Sequence, residues 1–151
     1  QSLAMSMEVP EESYEVPIGE AIVRKQGTDL TIVAFGRMVH EALDAAEQLK
    51  EVGLNVEVID ARSVQPFDTA TVVTSIKKTH RALIVHEAVK FGGIGGEITA
   101  QIQEEAFDYL DAPIMRVAAP FSPVPFSPAL EKLYIPNAAG IVAKVKETLD
   151  L

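Results

Sequence analysis

Arg37, Asp60, Arg62, His86 and Glu87 are the residues of this chain whose types and spacing suit chemistry. Each stands just after a short apolar run: Leu30 to Phe35, Val56 to Ile59, and Ala82 to Val85. In open α/β sheets the carboxyl ends of parallel strands meet along one edge, and polar functional groups collect there. Two arginines and a histidine among carboxylates suit an anion or a carboxylate ligand. The same set suits an ion-pair network that braces loops or faces another domain. His86, beside Glu87, is the histidine placed for acid–base work, whereas His40 within a helix and His80 near a helix end read as partly exposed and solvated.

Other chemistries are excluded more sharply. The chain has no cysteine, so thiol catalysis, disulfides and cysteine-based zinc sites are ruled out. There is no G-x-S-x-G nucleophile elbow and no H-E-x-x-H spacing. The glycine-rich stretch Phe91 to Glu97 invites a phosphate reading, because amides at a helix start bind anions. However, Ile98 occupies the third glycine position of G-x-G-x-x-G, counted from Gly93. Glu97 would repel a phosphate there while suiting the helix dipole. The glycines are therefore expected to permit close packing against a neighbouring surface. Glu104 and Glu105 are adjacent on a helix and read as solvated.

Positioning such residues takes a folded domain, and 151 residues supply one core. The hydrophobic share of 48% and charged share of 23% are those of a globular protein. No apolar run approaches the ~20 residues of a membrane span, and no secretory signal is legible. A net charge of −9 argues against a nucleic-acid surface and would favour a basic protein partner. Residues 1–17 are expected to be a cloning remnant followed by an acidic, proline-bounded interdomain connector, with the folded domain over 18–151.

Alternating apolar runs and helical periods predict the elements. Strands are expected at Ala21–Arg24, Leu30–Phe35, Leu54–Ile59, Ala82–Val85 and Pro113–Ala118. The run LTIVAF reads as buried on both faces. One helix is expected over Met38–Val52, with Val39, Leu43, Ala46, Leu49 and Val52 inward and Gly53 as the stop. Others are expected from Asp68 to Lys78, from Gly95 to Leu110, over Ala129–Tyr134, and from the cap Asn137 to Leu149. Phe121 and Phe126, in a proline-rich loop, belong either to the core or to a subunit contact. This pattern predicts a three-layer α/β/α fold with a mostly parallel sheet.

Several segments together resemble one family. They are Asp60 to Asp68 (D-x-R-S-x-x-P-F-D), His86-Glu87-Ala88 with Gly92-Gly93 and Glu97-Ile98, and Leu110-Asp111-Ala112-Pro113 with Arg116-Val117. Pro123 to Phe126 and Tyr134-Ile135-Pro136 complete the set. Their order and spacing are similar to the carboxyl-terminal domain of the beta subunit of thiamine-diphosphate-dependent 2-oxo acid dehydrogenases, a domain shared with transketolase. Pyruvate- or acetoin-type subunits are the nearest in pattern. The resemblance runs from about Glu8 to the end.

It implies a five-stranded sheet whose first strand is antiparallel to the rest. It also implies a parent α2β2 enzyme that decarboxylates a 2-oxo acid, pyruvate favoured, and acylates lipoyl groups. Thiamine diphosphate and magnesium would be bound elsewhere in that enzyme. No catalytic, cofactor or metal residue of the family carries over to this chain, and the fragment alone is expected to be inactive. Its implied roles are subunit assembly, with the alpha subunit and a second beta subunit, and docking of the lipoyl acyltransferase. The acyltransferase's basic subunit-binding domain would meet Asp111 and the terminal carboxylate at Leu151. With these roles, Arg37, Asp60, Arg62, His86 and Glu87 would brace a domain junction. The alternative is a regulatory anion site built from Arg37, Arg62 and His86. A bacterial cytoplasm is the expected location, with the mitochondrial matrix as the second setting.

Overall fold

The computed structural model describes residues 19–89, 93–119 and 136–151. The expected helix Ala129–Tyr134 and the rings of Phe121 and Phe126 lie outside them. The elements are β1 (Ile22–Lys25), β2 (Leu30–Ala34), α1 (Met38–Glu51), β3 (Val56–Asp60), α2 (Thr69–Thr79), β4 (Ala82–Val89), α3 (Ile94–Ala106), a 3-10 turn (Phe107–Tyr109), β5 (Met115–Ala119) and α4 (Ala138–Thr148). The sheet order is β1-β3-β2-β4-β5. β1 runs antiparallel to β3, and the other neighbours are parallel. This is the α/β architecture the sequence pattern predicts.

Side-chain alternation splits the core into two layers. Leu30, Ile32, Val56, Val58, Leu83 and Val85 face α1 and α4, against Met38, Ala42, Leu49, Ile141 and Val145. Val33, Ile59, Ala82 and Ile84 face α2 and α3, against Val72, Ile76, Ile98 and Ile102. Every residue of β2 is buried, as its unbroken apolar run requires.

Local signals set the helix ends. Asp68 caps α2 by accepting the Thr71 amide at 3.1 Å and its hydroxyl at 2.6 Å. Its other role is tertiary, since it also accepts the Ala21 amide at 2.9 Å and ties the start of β1 to α2. Burial would raise the Asp68 pKa, but the Thr71 hydroxyl and the Ala21 and Thr71 amides hold it below the ordinary value. Asn137 caps α4 through the Gly140 amide at 2.9 Å. After α1, Gly53 takes φ +83 and Leu54 N–H returns to the Leu49 carbonyl at 2.9 Å, closing a Schellman turn.

The structure corrects three expectations. Val52 is not an inward position of α1: it is the cap residue and 59% exposed. α3 ends at Ala106 and tightens into the 3-10 turn rather than running to Leu110. β4 does not stop at Val85 but continues to Val89, where it pairs with Ala119 of β5 beyond a register shift. His86 and Glu87 therefore lie within a strand and not after one. Below, the edge where β2 to β5 end is the carboxyl edge, and the edge where they begin is the amino edge.

Candidate functional site

Arg37 leaves β2 at the carboxyl edge as the cap residue of α1, and its Nε donates to Glu87 Oε1 at 2.7 Å. Asp60 ends β3 and accepts the Arg62 amide at 3.0 Å, while Arg24 on β1 approaches it at 4.0 Å. That short loop turns because Arg62 adopts φ +61, an uncommon conformation outside glycine. Gly36, at φ +56, makes the corresponding turn before Arg37 and has open space around it.

His86 does not join the surface charges. It is 1% exposed and lies under the first turn of α3, on the layer opposite α1. A Cβ on Gly95 would collide with its Nε2 and pass 3.2 Å from Arg116 Cδ. Gly95 is therefore glycine so that the imidazole can fit beneath the helix. The close packing at Gly95 is thus against the chain's own histidine, and the first turn of α3 also carries Glu97. Among the described residues, no three His, Asp or Glu side chains converge as a metal would require. The expected five-residue cluster thus resolves into an Arg37–Glu87 pair, an Asp60–Arg62 turn and a buried histidine.

Asp111 and Leu151 stand on the amino edge. The Asp111 amide donates to the His80 carbonyl at 2.8 Å, just ahead of β4. Leu151 gets there through α4. The Ala138 amide is bonded to Glu41 Oε2 at 2.9 Å, so α4 starts beside the start of α1 and runs parallel to it. Both helices therefore end where β3 begins. Asp111 is exposed, Leu151 is 73% exposed, and among the described residues no cation pairs with the Asp111 carboxylate. A cavity of about 650 Å³ opens beside Asp111, lined by Gln103, Phe107, Asp108, Leu110 and Pro113 among others. Phe107 on its rim is 65% exposed.

Sequence reasoning missed two features of this edge. Glu57 on β3 is 2% exposed and accepts from Lys78 Nζ at 2.5 Å, from the Ser75 hydroxyl at 2.5 Å and from the Gly27 amide at 3.0 Å. Thr31 extends the network, bonded to Ser75 and Thr79 at 2.6 Å each. Burial pushes the Glu57 pKa up, but Lys78, Ser75 and Gly27 together outweigh it and hold the carboxyl below its ordinary value. A glutamate interrupting Val56-Glu57-Val58-Ile59 was the available signal. The second feature is His80, which is not simply solvated: its Nδ1 bonds the Tyr109 carbonyl at 2.8 Å.

Related proteins share this architecture. Residues 19–141 match the family model of the transketolase carboxyl-terminal domain. The pyruvate dehydrogenase E1 component subunit beta of Staphylococcus aureus is 48% identical over 143 residues, which cover 95% of this chain and 44% of the relative. The same subunit of Staphylococcus epidermidis is 47% identical over equal spans. The chain therefore spans less than half the length of the curated relatives it matches. Among solved structures, an inactive beta4 tetramer of a split-gene transketolase superposes with a TM-score of 0.80 at 31% identity, over 97% of this chain and 46% of that one. A transketolase mutant from Pichia stipitis shares the fold at a TM-score of 0.65 and 18% identity, over 87% of this chain and 18% of that one. With the model matched across both core layers and the strand order as described, the chain belongs to the transketolase carboxyl-terminal domain family.

Proposed function

We propose that this chain is the assembly and docking domain of the beta-type subunit of a thiamine-diphosphate-dependent 2-oxo acid dehydrogenase, with pyruvate as the parent enzyme's substrate. Its partners are an alpha subunit, a second beta subunit and the basic subunit-binding domain of a lipoyl acyltransferase. Thiamine diphosphate and magnesium belong to the parent enzyme and supply its decarboxylation chemistry; this domain contributes no group to that step. The setting is a bacterial cytoplasm. Among the described residues, no helix is long and apolar enough to cross a membrane.

The observation that carries the docking role is the exposed Asp111 carboxylate, which pairs with no cation among the described residues and shares an edge with Leu151. A carboxylate left unmatched by its own chain is free to neutralise an arginine or lysine of a partner, and a chain of net charge −9 steers such a partner toward it. The carboxyl edge, where Arg37 already holds Glu87, faces a neighbouring domain in this reading. Nothing in the geometry favours the anion site, since Arg37 is engaged and His86 is sealed beneath α3.

Calorimetric titration with the subunit-binding domain tests the assignment. Asp111→Ala and capping of the terminal carboxylate should each weaken binding, by about 2–5 kcal/mol where the charge is buried on docking. Arg37→Ala, on the opposite edge, should leave the affinity unchanged. Unaltered affinity in both amino-edge variants overturns the docking role.

A further inference from the structure

We infer that His80 is a positioning residue for the docking loop: it holds Asp111 at the amino edge by hydrogen bonds on both sides of Leu110. The inference rests on the docking role proposed for Asp111.

His80 ends α2 in the left-handed region, at φ 63 and ψ 8, with its amide returned to the Ile76 carbonyl at 2.7 Å. That turn aims two groups at the loop ahead of β5. The His80 carbonyl accepts the Asp111 amide at 2.8 Å, and ring Nδ1 donates to the Tyr109 carbonyl at 2.8 Å. One turn earlier, Lys77 Nζ stands 5.1 Å from the centroid of the Tyr109 ring. Three contacts from one helix end thus fix Tyr109 and Asp111, and the exposed carboxylate projects from a backbone held at two points.

Backbone conformation alone does not call for an imidazole here. Glycine adopts positive φ with no Cβ penalty and is the usual residue after a helix. What histidine adds is the bond to Tyr109. A carboxylate presented in one place loses less freedom when a partner's cation binds it, so the gain should appear in affinity.

Two substitutions separate the ring from the backbone. His80→Gly keeps the left-handed turn and deletes the ring bond. His80→Asn also tolerates positive φ, and its Nδ2 stands where the histidine has Nδ1. In titrations of this chain with the basic subunit-binding domain, H80G should weaken binding about three- to tenfold, the range of one lost hydrogen bond. Exchange of the Asp111 amide with solvent should speed up in the same variant. H80N should restore both readouts. The salt dependence of binding should be unchanged in H80G, because the Asp111 charge remains, and should flatten in Asp111→Ala.

Wild-type affinity in H80G, with Asp111→Ala still weak, overturns the positioning role and leaves docking intact. So does H80N binding as poorly as H80G. Unchanged affinity in Asp111→Ala overturns the docking role and this inference with it.

Discussion

At the carboxyl edge, Glu87 lies 2.7 Å from Arg37, and Asp60 is held by the Arg62 amide with Arg24 at 4.0 Å. At the amino edge the carboxylates divide. Glu57 sits where a lysine, a hydroxyl and an amide converge, whereas Asp111 stands exposed and pairs with no cation among the described residues. Similar residue types therefore do different work according to what surrounds them. Charges answered within the chain fix its shape, and a charge left unanswered is available to a partner.

Converting Glu57 into a missing acceptor gives the largest stability effect expected. Glu57→Ala strands the Gly27 amide in a buried site and leaves Lys78 and Ser75 without their acceptor. Urea denaturation should show a loss of about 3 kcal/mol, at the low end for a broken buried pair because Lys78 is half exposed. Glu57→Gln, which keeps the volume, should cost less. The pH dependence follows from the same network. Glu57 and Asp68 both have folded pKa values below their unfolded ones. The stability they contribute is complete above the unfolded carboxylate range, near pH ~4–4.5. It should fall as pH drops through that range and the lower folded values. A Glu57→Gln, Asp68→Asn double variant should flatten this acid limb, and an unaltered limb would show that other groups control it.

Much of this contrast was legible in the sequence where the cause is local. Asp68 and Asn137 announce helix starts because their side chains reach amides three residues on, and Gly53 announces a stop because it takes positive φ. The unbroken LTIVAF run announces a central strand. Nonlocal causes stayed hidden. Glu57 reads as an anomaly in a strand until Lys78 and Ser75 come across from α2 and Gly27 from the β1–β2 turn. The length of β4 depends on Ala119 pairing beyond a register shift, so His86 looked like a loop residue when it is a buried strand residue. Asp111 is singled out by the sequence around it, but its lack of a paired cation among the described residues is a three-dimensional property.

His86 also gives the intermediate stability effect. Ala at position 95 would drive a methyl group into the imidazole, which is 1% exposed. Gly95→Ala should cost about 2 kcal/mol by overpacking, partly offset by the better helix propensity of alanine. Thermal melts measure this directly. A neutral or stabilising outcome would mean that the ring can step aside, which would reopen a solvent-facing role for His86 at the carboxyl edge.

The smallest effect expected in the chain alone is the one that tests the carboxyl edge as a junction. Arg37 is 24% exposed and Glu87 49%, so water screens their attraction and a double-mutant cycle should return less than about 1 kcal/mol. If the edge is a junction, the same cycle carried out in the full-length subunit should return more, because a domain seated there would exclude water and lower the local dielectric. Asp111 gives the opposite pattern, since no cation among the described residues pairs with it. An Arg37–Glu87 coupling that stays equally small in the full-length subunit would show an edge still open to solvent. The paired charges would then be bracing loops and not a domain contact.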